Sequence, residues 1–239
     1  MKEAAAMGAD VKPPALPDVR IFAFGRKGYA FAAANLAASI KRWSPTTRVV
    51  MHAEMKWLDH FRPYHFKHFD KIEELPEMAY RTFGRLDPGK LKSRLWDHLP
   101  EGEHLYLDAD CIALKDIAPL LLKLQGDPRE YIAEVISKGS SADVLDYTPW
   151  ASPAKQAAKL AAEGMSADPV FYGLQTSWAF IRKGGMDPFF ARVKHNHDKV
   201  WQRSELDHKW GDSLPDELIY AFTCSELGCD PSWPRDVMF

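Results

Sequence analysis

Hydrophobic and polar positions change period along the chain, and the two periods alternate. Val19 to Phe24 is a short apolar run between Asp18 and Gly25, the pattern of a buried strand. After Gly25-Arg-Lys-Gly28, apolar positions recur at Tyr29, Ala33, Leu36, Ile40 and Trp43, which predicts an amphipathic helix. Ser44-Pro45 ends it, because proline pushes its predecessor out of helical backbone. Arg48 to Ala53 reads as a second strand and Met55 to Phe61 as a short helix. Residues 62–87 carry aromatics mixed with bases and predict a surface segment with one short strand. Pro88 opens a helix from Gly89 to Leu99, and His104 to Leu107 is the next strand, running into Asp108-Ala-Asp110.

Further on, Asp116 is placed to cap a helix whose inner side carries Leu120, Leu121 and Leu124. Tyr131 to Ile136 predicts a strand, Ser137 to Trp150 a long loop, and Ser152-Pro153 a helix closed by Gly164. Ser177 to Ile181 is another strand, Asp187-Pro188 starts a helix reaching Trp201, and Pro215 opens the last helix. Strands alternating with helices predict an α/β fold with a mostly parallel central sheet flanked by helices. No repeat or linker divides the chain, so residues 19–239 are expected to form one domain behind a loose leader, residues 1–18.

The 239 residues carry 31 Lys plus Arg against 33 Asp plus Glu, a net charge of −2. That balance argues against a globally basic nucleic-acid binder. Cys111, Cys224 and Cys229 have no CxxC spacing, which points to reduced thiols and a cytoplasmic protein rather than a disulfide framework. No apolar run reaches the ~18 residues of a membrane span.

The chemistry concentrates at the end of the His104–Leu107 strand. In extended backbone Asp108 and Asp110 point the same way, so together they suit one hard cation, Mn²⁺ or Mg²⁺, whose shell is completed by substrate phosphates and water. Between Arg81 and Arg94 stand five bases, Arg81, Arg85, Lys90, Lys92 and Arg94, against one acid, Asp87. Beside a metal pair, such a patch suits a diphosphate leaving group, and Lys90 and Arg94 are four apart on the predicted helix. Asp216 and Glu217, in the first turn of the last helix, are candidates to orient or deprotonate an acceptor hydroxyl, although acids also favour that position through the helix dipole. Trp150, Trp178 and Trp201 are candidates to stack on sugars. His195 and His197 would diverge on a helix, which does not suit a metal.

The segment from Arg85 through Pro100, followed by Leu105-Tyr-Leu-Asp-Ala-Asp110, resembles the core of GT-A glycosyltransferases. It is most similar to glycosyltransferase family eight, the glycogenin and galactosyltransferase group. Ile21 to Phe24 with Asn35 to Ile40 is similar to that family's opening, Thr176 to Arg182 to its later "NSGVFLF" strand, and Pro215-Asp-Glu-Leu218 to a helix start in it. The resemblance implies a nucleotide-diphosphosugar donor, with a UDP-sugar favoured, and metal at Asp110 and partly at Asp108. Ala23, Phe24, Gly25 and Tyr29 would line the nucleoside pocket, with Asp108 also meeting the ribose. Lys90 and Arg94 would face ribose or diphosphate, and Ser177, Asp216 and Glu217 would lie near the transferred sugar. It also implies transfer to a hydroxyl, with retention at the anomeric carbon.

The chain departs from the family in two places. Gly25 or Arg26 stands where the family carries an acid that reads uracil. No histidine follows His208 to serve as third metal ligand, which leaves Asp230, Asp236 or water. The acceptor stays open among a saccharide, a protein and a hydroxylated DNA base, so nucleic acid enters only as acceptor. Two other readings stand beside this one: a non-catalytic nucleotide-sugar binder, and a haloacid-dehalogenase phosphatase. The second expects D-x-D-x-T/V near the N-terminus, whereas Ile112 fills the fifth position here, mid-chain.

Overall fold

The computed structural model describes residues 15–140, 162, 170–184, 187–200 and 216–233. The expected helix from Ser152 to Gly164, the loop around Trp150, and Trp201 lie outside the described residues. Among those described, strands β1 (Asp18–Ala23), β2 (Val49–Ala53), β3 (Lys71–Glu74), β6 (Gly102–Asp108), β7 (Tyr131–Gly139) and β8 (Phe171–Lys183) form one sheet in the order β3-β2-β1-β6-β8-β7. β1 pairs in parallel with β2 and β6, and β2 with β3, whereas β8 runs antiparallel to both β6 and β7. β8 alone is reversed, so the sheet is mostly parallel. Two short strands, β4 (Arg81–Thr82) and β5 (Arg85–Leu86), make a separate hairpin.

Alternation along the strands sorts residues between two faces. Val19, Ile21, Met51, Leu105 and Leu107 face α1 (Lys27–Trp43) and α5 (Ala118–Gln125), where Leu36, Ile40, Leu121 and Leu124 complete an apolar core. Phe22 and Tyr106 face the other way, into a second core. There they meet α3 (Pro88–Lys92), α4 (Leu95–His98), α6 (Pro188–His195) and α7 (Asp216–Leu227). Tyr131 is stacked between Phe189 and Tyr220, with ring centroids 5.1 and 4.7 Å away. Pro63–Phe66 is a further four-residue helix, α2, and Met55–His60 and Glu77–Ala79 are 3₁₀ turns.

Several expectations change. The helix predicted from Gly89 to Leu99 is two short helices, because Arg94 has φ −124° and ψ 17°. The hydroxyl of Ser93 donates back to Lys90 O at 3.0 Å, a local bond that competes with helix continuation. Residues 62–87 hold β3 and also the hairpin, whose tip is Phe83-Gly84. β8 starts at Phe171, six residues before the strand expected at Ser177. The helix from Pro188 changes to a π turn at Asn196–Val200. The chain before β1 already packs, with Leu16 on the first core and Ala15 O accepting from Gln125 Nε2 at 3.0 Å. Among the described residues no helix is long and apolar enough to cross a membrane.

Candidate functional site

β6 delivers Tyr106 and Asp108 to the face opposite α1, and the strand ends there. Asp108 O accepts the Cys111 N–H at 3.1 Å, so Ala109-Asp110 lies in a turn rather than in extended backbone. The expectation that Asp108 and Asp110 project in parallel is therefore corrected. Asp108 turns into a cluster of side chains, and Asp110 is exposed.

Lys92 lies at the centre of that cluster. The Asp87-Pro88 cap starts α3, with Asp87 Oδ1 accepting the Lys90 N–H at 3.1 Å, and the helix stops at Lys92. The hydroxyl of Tyr220 on α7 donates to Lys92 O at 2.9 Å and fixes the end of that turn. Lys92 Nζ then donates to Asp108 Oδ2 at 3.2 Å and Thr176 Oγ1 at 3.3 Å, and stands 3.5 Å from Asp216 Oδ2. Thr176 Oγ1 donates to Asp216 Oδ2 at 2.5 Å and lies 3.3 Å from Glu217 Oε1. The Tyr106 hydroxyl donates to Asp108 Oδ1.

A bulge brings Thr176 there. β7 pairs Ala133 with Ala179 and Glu134 with Gln175, so Thr176, Ser177 and Trp178 have no partners on β7. Side-chain parity flips across them, as bulges allow. Thr176 joins the polar cluster, whereas Trp178, 5% exposed, packs in the apolar core against α1 and α5. Trp178 is thus buried away from any sugar. The carbonyl of half-buried Ser177 accepts from Cys111 Sγ at 3.6 Å, and Thr176 supplies the hydroxyl to the cluster.

Charge in the cluster follows from burial and proximity. Burial pulls the Lys92 ammonium down, but Asp216 and Asp108 outweigh it and hold the amine well above its ordinary range. Burial pushes Asp108 up, against the opposing pull of Lys92 and Tyr106. Burial and then the neighbouring Asp216 carboxylate raise Glu217 to about 7. Two adjacent carboxyls that do not ionise together are a usual source of such a shift.

The other expected residues lie around this centre. Gly25 turns the chain after β1 at φ +80°, and its N–H donates to Glu54, a buried acid at the end of β2. Glu54 also takes a bond from Tyr80 and an ion pair from Lys56 at 2.5 Å, which together with Gly25 hold it below its ordinary value despite burial. Leu86 of the hairpin closes over Gly25, 3.0 Å from where a Cβ would stand. Phe24 packs 5.4 Å from the Tyr80 ring, Ala23 O accepts from Glu54 N at 3.3 Å, and Tyr29 is exposed.

Lys90 and Arg94 do not share a helical face. Lys90 Nζ donates to Arg81 O at 2.8 Å, and Arg94 Nη2 donates to both carboxylate oxygens of Asp198 at 2.7 and 2.5 Å. Asp230, one of the expected third ligands, accepts from Lys138 Nζ at 2.8 Å beside β7. Asp236 lies outside the described residues. Lys92, Thr176, Tyr106 and Glu54 were not singled out from sequence as site residues. The five-base run contained Lys92, but nothing in it distinguished that lysine from Lys90.

A hard divalent cation is the group that the resemblance of the Asp108-Ala-Asp110 segment leads one to expect. Among the described residues no group of three or more His, Cys, Asp or Glu suits one. Asp110 is free to act as a carboxylate ligand to a cation that takes phosphates and water as its other ligands. Asp108 could share it only through lone pairs not already facing Lys92 and Tyr106.

No protein-family model matches the chain, and no curated protein matches it in sequence. Among solved structures it is similar to the galactosyltransferase LgtC in complex with donor and acceptor sugar analogues. The TM-score is 0.51 at 14% identity, over 89% of this chain and 72% of that one. An active-site Gln-to-Glu variant of LgtC matches with a TM-score of 0.50 and 15% identity, over 86% and 70%. Mouse xyloside xylosyltransferase 1 matches with a TM-score of 0.49 and 11% identity, over 88% and 82%. The likeness to LgtC is one of fold: the chain has the mostly parallel, helix-flanked α/β sheet of the GT-A glycosyltransferases.

Proposed function

We propose that this chain is a glycosyltransferase that moves a sugar from a nucleotide-diphosphosugar to an acceptor hydroxyl. The observation that carries this reading is the Lys92–Asp108–Thr176–Asp216–Glu217 cluster at the carboxyl end of β6, where open α/β sheets bind their ligands. The nucleoside would lie along Ala23, Phe24, Gly25 and Tyr29, under Leu86. The diphosphate and sugar would extend towards Asp108 and Lys92, with Arg94 and Lys90 at the margin.

Lys92 would hold positive charge against the departing diphosphate in a partly dry site, where a fixed cation needs no reorganisation. Thr176 locks Asp216 and steadies Glu217, and that acid pair, with Ser177 close by, would meet the transferred sugar or the acceptor hydroxyl. A Mn²⁺ or Mg²⁺ ion, held by Asp110 and shared with Asp108, would supply further charge neutralisation to the diphosphate. The resemblance to family eight supports retention at the anomeric carbon and favours a UDP-sugar. A saccharide, a protein or a hydroxylated DNA base would each present a suitable hydroxyl.

A thermal-shift panel tests the donor site, using nucleoside diphosphates and their sugars with and without Mn²⁺, on wild type and Asp110→Ala. Ligand at a hundred times its dissociation constant adds about 2.7 kcal/mol, a clear shift. A metal-dependent shift with one nucleotide, lost in the variant, supports the reading and identifies the base. No shift with any of them overturns it. Sugar release from the shifting donor then separates an enzyme from a non-catalytic binder.

A further inference from the structure

α7 begins at the acid pair and ends, three turns later, at two cysteines. Gly228 follows the helix at φ +65°, in left-handed backbone that glycine adopts without strain. Its N–H donates to Ser225 O at 3.3 Å, and the Cys229 N–H donates to Cys224 O at 2.9 Å. These two bonds form a Schellman cap, in which the residues joined by the longer-range bond are the ones whose side chains usually touch. Here both are cysteines.

One N–H···O=C bond between two residues holds their Cα atoms roughly 5–6 Å apart, within the ~4.4–6.8 Å that a disulfide spans. Both side chains line one cavity of about 400 Å³, together with Pro128, Tyr131, Phe189 and Pro231. Cys224 is fully buried, and Cys229 is partly exposed. Cys111 stands apart, beside Ser177. The strand-like tail after Cys229 is tied to β7, with Ala133 N donating to Pro231 O at 2.9 Å. A link between the two sulfurs would therefore clamp the end of α7 to the sheet edge.

We propose that Cys224 and Cys229 are a reversible dithiol–disulfide pair, oxidised through this cavity by a small disulfide such as oxidised glutathione. Cys229, which solvent reaches, loses its proton and attacks the glutathione disulfide. One glutathione leaves as the thiolate and takes up the proton. Cys224 then gives up its proton and displaces the second glutathione from the mixed disulfide. In total, two protein thiols lose two protons and two electrons to form one disulfide, and one oxidised glutathione becomes two thiols. Burial holds both thiols above their ordinary range, with Cys229 and Asp230 adding to it at Cys224 and Glu130 at Cys229, so the exchange speeds up as pH rises.

The test incubates the folded chain with oxidised glutathione, counts free thiols after unfolding, and maps linked peptides. Wild type is expected to lose two of its three thiols and to yield a Cys224–Cys229 linked peptide. Cys111→Ser should lose both of its remaining thiols in the same way, and this variant leaves the cap untouched. Cys224→Ala should stop at a glutathione adduct on Cys229, the trapped intermediate. Recovery of all three thiols from wild type, separate adducts on both cysteines, or a bridge that includes Cys111 would each overturn the proposal.

Discussion

The two faces of the sheet are built by alternate residues of the same strands, yet they differ in kind. On the side of α1 and α5, Val19, Ile21, Met51, Leu105 and Leu107 are apolar and at most 4% exposed. On the other side, the same strands bury Arg20, His52 and His104 beside Phe22 and Tyr106, and end in Asp108. Arg20 Nη2 donates to Asp18 at 2.8 Å, while His52 stacks on Phe22 at 4.3 Å and meets Glu73 at 3.3 Å. On the first face the strands contribute only apolar side chains to the core. The other keeps buried charge in fixed positions, which costs stability unless each group is paired and which is what a site needs. The contrast teaches that chemistry here sits where the strand period places polar residues inside, at the carboxyl end of that second face.

The contrast can be broken most strongly at Lys92. Lys92→Met leaves Asp108 and Asp216 without their cation, and is expected to cost about 3 kcal/mol of stability and to abolish donor binding. An unchanged melting temperature and donor affinity would show the cluster to be an ordinary solvated surface. Next comes Glu217. Its carboxyl ionises at about 7, so activity should rise about tenfold from pH 6 to pH 8 and then flatten. In Glu217→Gln that limb should vanish, with activity ~10²–10⁴-fold lower; a retained limb would assign the titration elsewhere.

On the packed face, Leu105→Ala should cost about 2–5 kcal/mol in melting experiments while leaving nucleotide affinity unchanged. Altered affinity would mean that the two faces are not separable. His52 makes the polar face sensitive to pH. Burial lowers its folded value to about 4, against an unfolded value near 6.5. Its neutral form is the folded one, so stability is fully present above pH 6.5 and falls as pH drops towards 4. Melts from pH 7 to pH 5 should show roughly 1–2 kcal/mol less loss in His52→Phe than in wild type; equal losses would clear His52 of the effect. The smallest effect is expected at Arg94→Ala. Its pair with Asp198 is about a third exposed on each side, so less than ~1 kcal/mol should be lost. A large loss of donor affinity there would move Arg94 into the site.

Most strands and the long first helix were legible because each is carried by its own period and stop signals. Val19 to Phe24, Arg48 to Ala53 and the Tyr29–Trp43 stripe all fall within a residue or two of β1, β2 and α1. That Asp108, Asp216 and Glu217 stand at the ends of apolar elements was legible as well, since the apolar runs beside them mark those ends. Lys92 was not, because a continuous helix from Gly89 to Leu99 made Lys90 and Arg94 look like the paired bases. The break at Ser93-Arg94 depends on a side-chain bond and on packing that no local pattern records.

The sequence by itself determined the alternation of strand and helix, the mostly parallel sheet, and the strand end at which acids gather. Those follow from periods of 2 and 3.6 and from capping, which are local properties of the chain. Tertiary structure alone decided which base meets those acids, which hydroxyl joins them, and that Asp108 and Asp110 part company. Thr176 enters the cluster only because the bulge in β8 reverses side-chain parity, and a reversal set by pairing with β7 has no signature in the residues themselves.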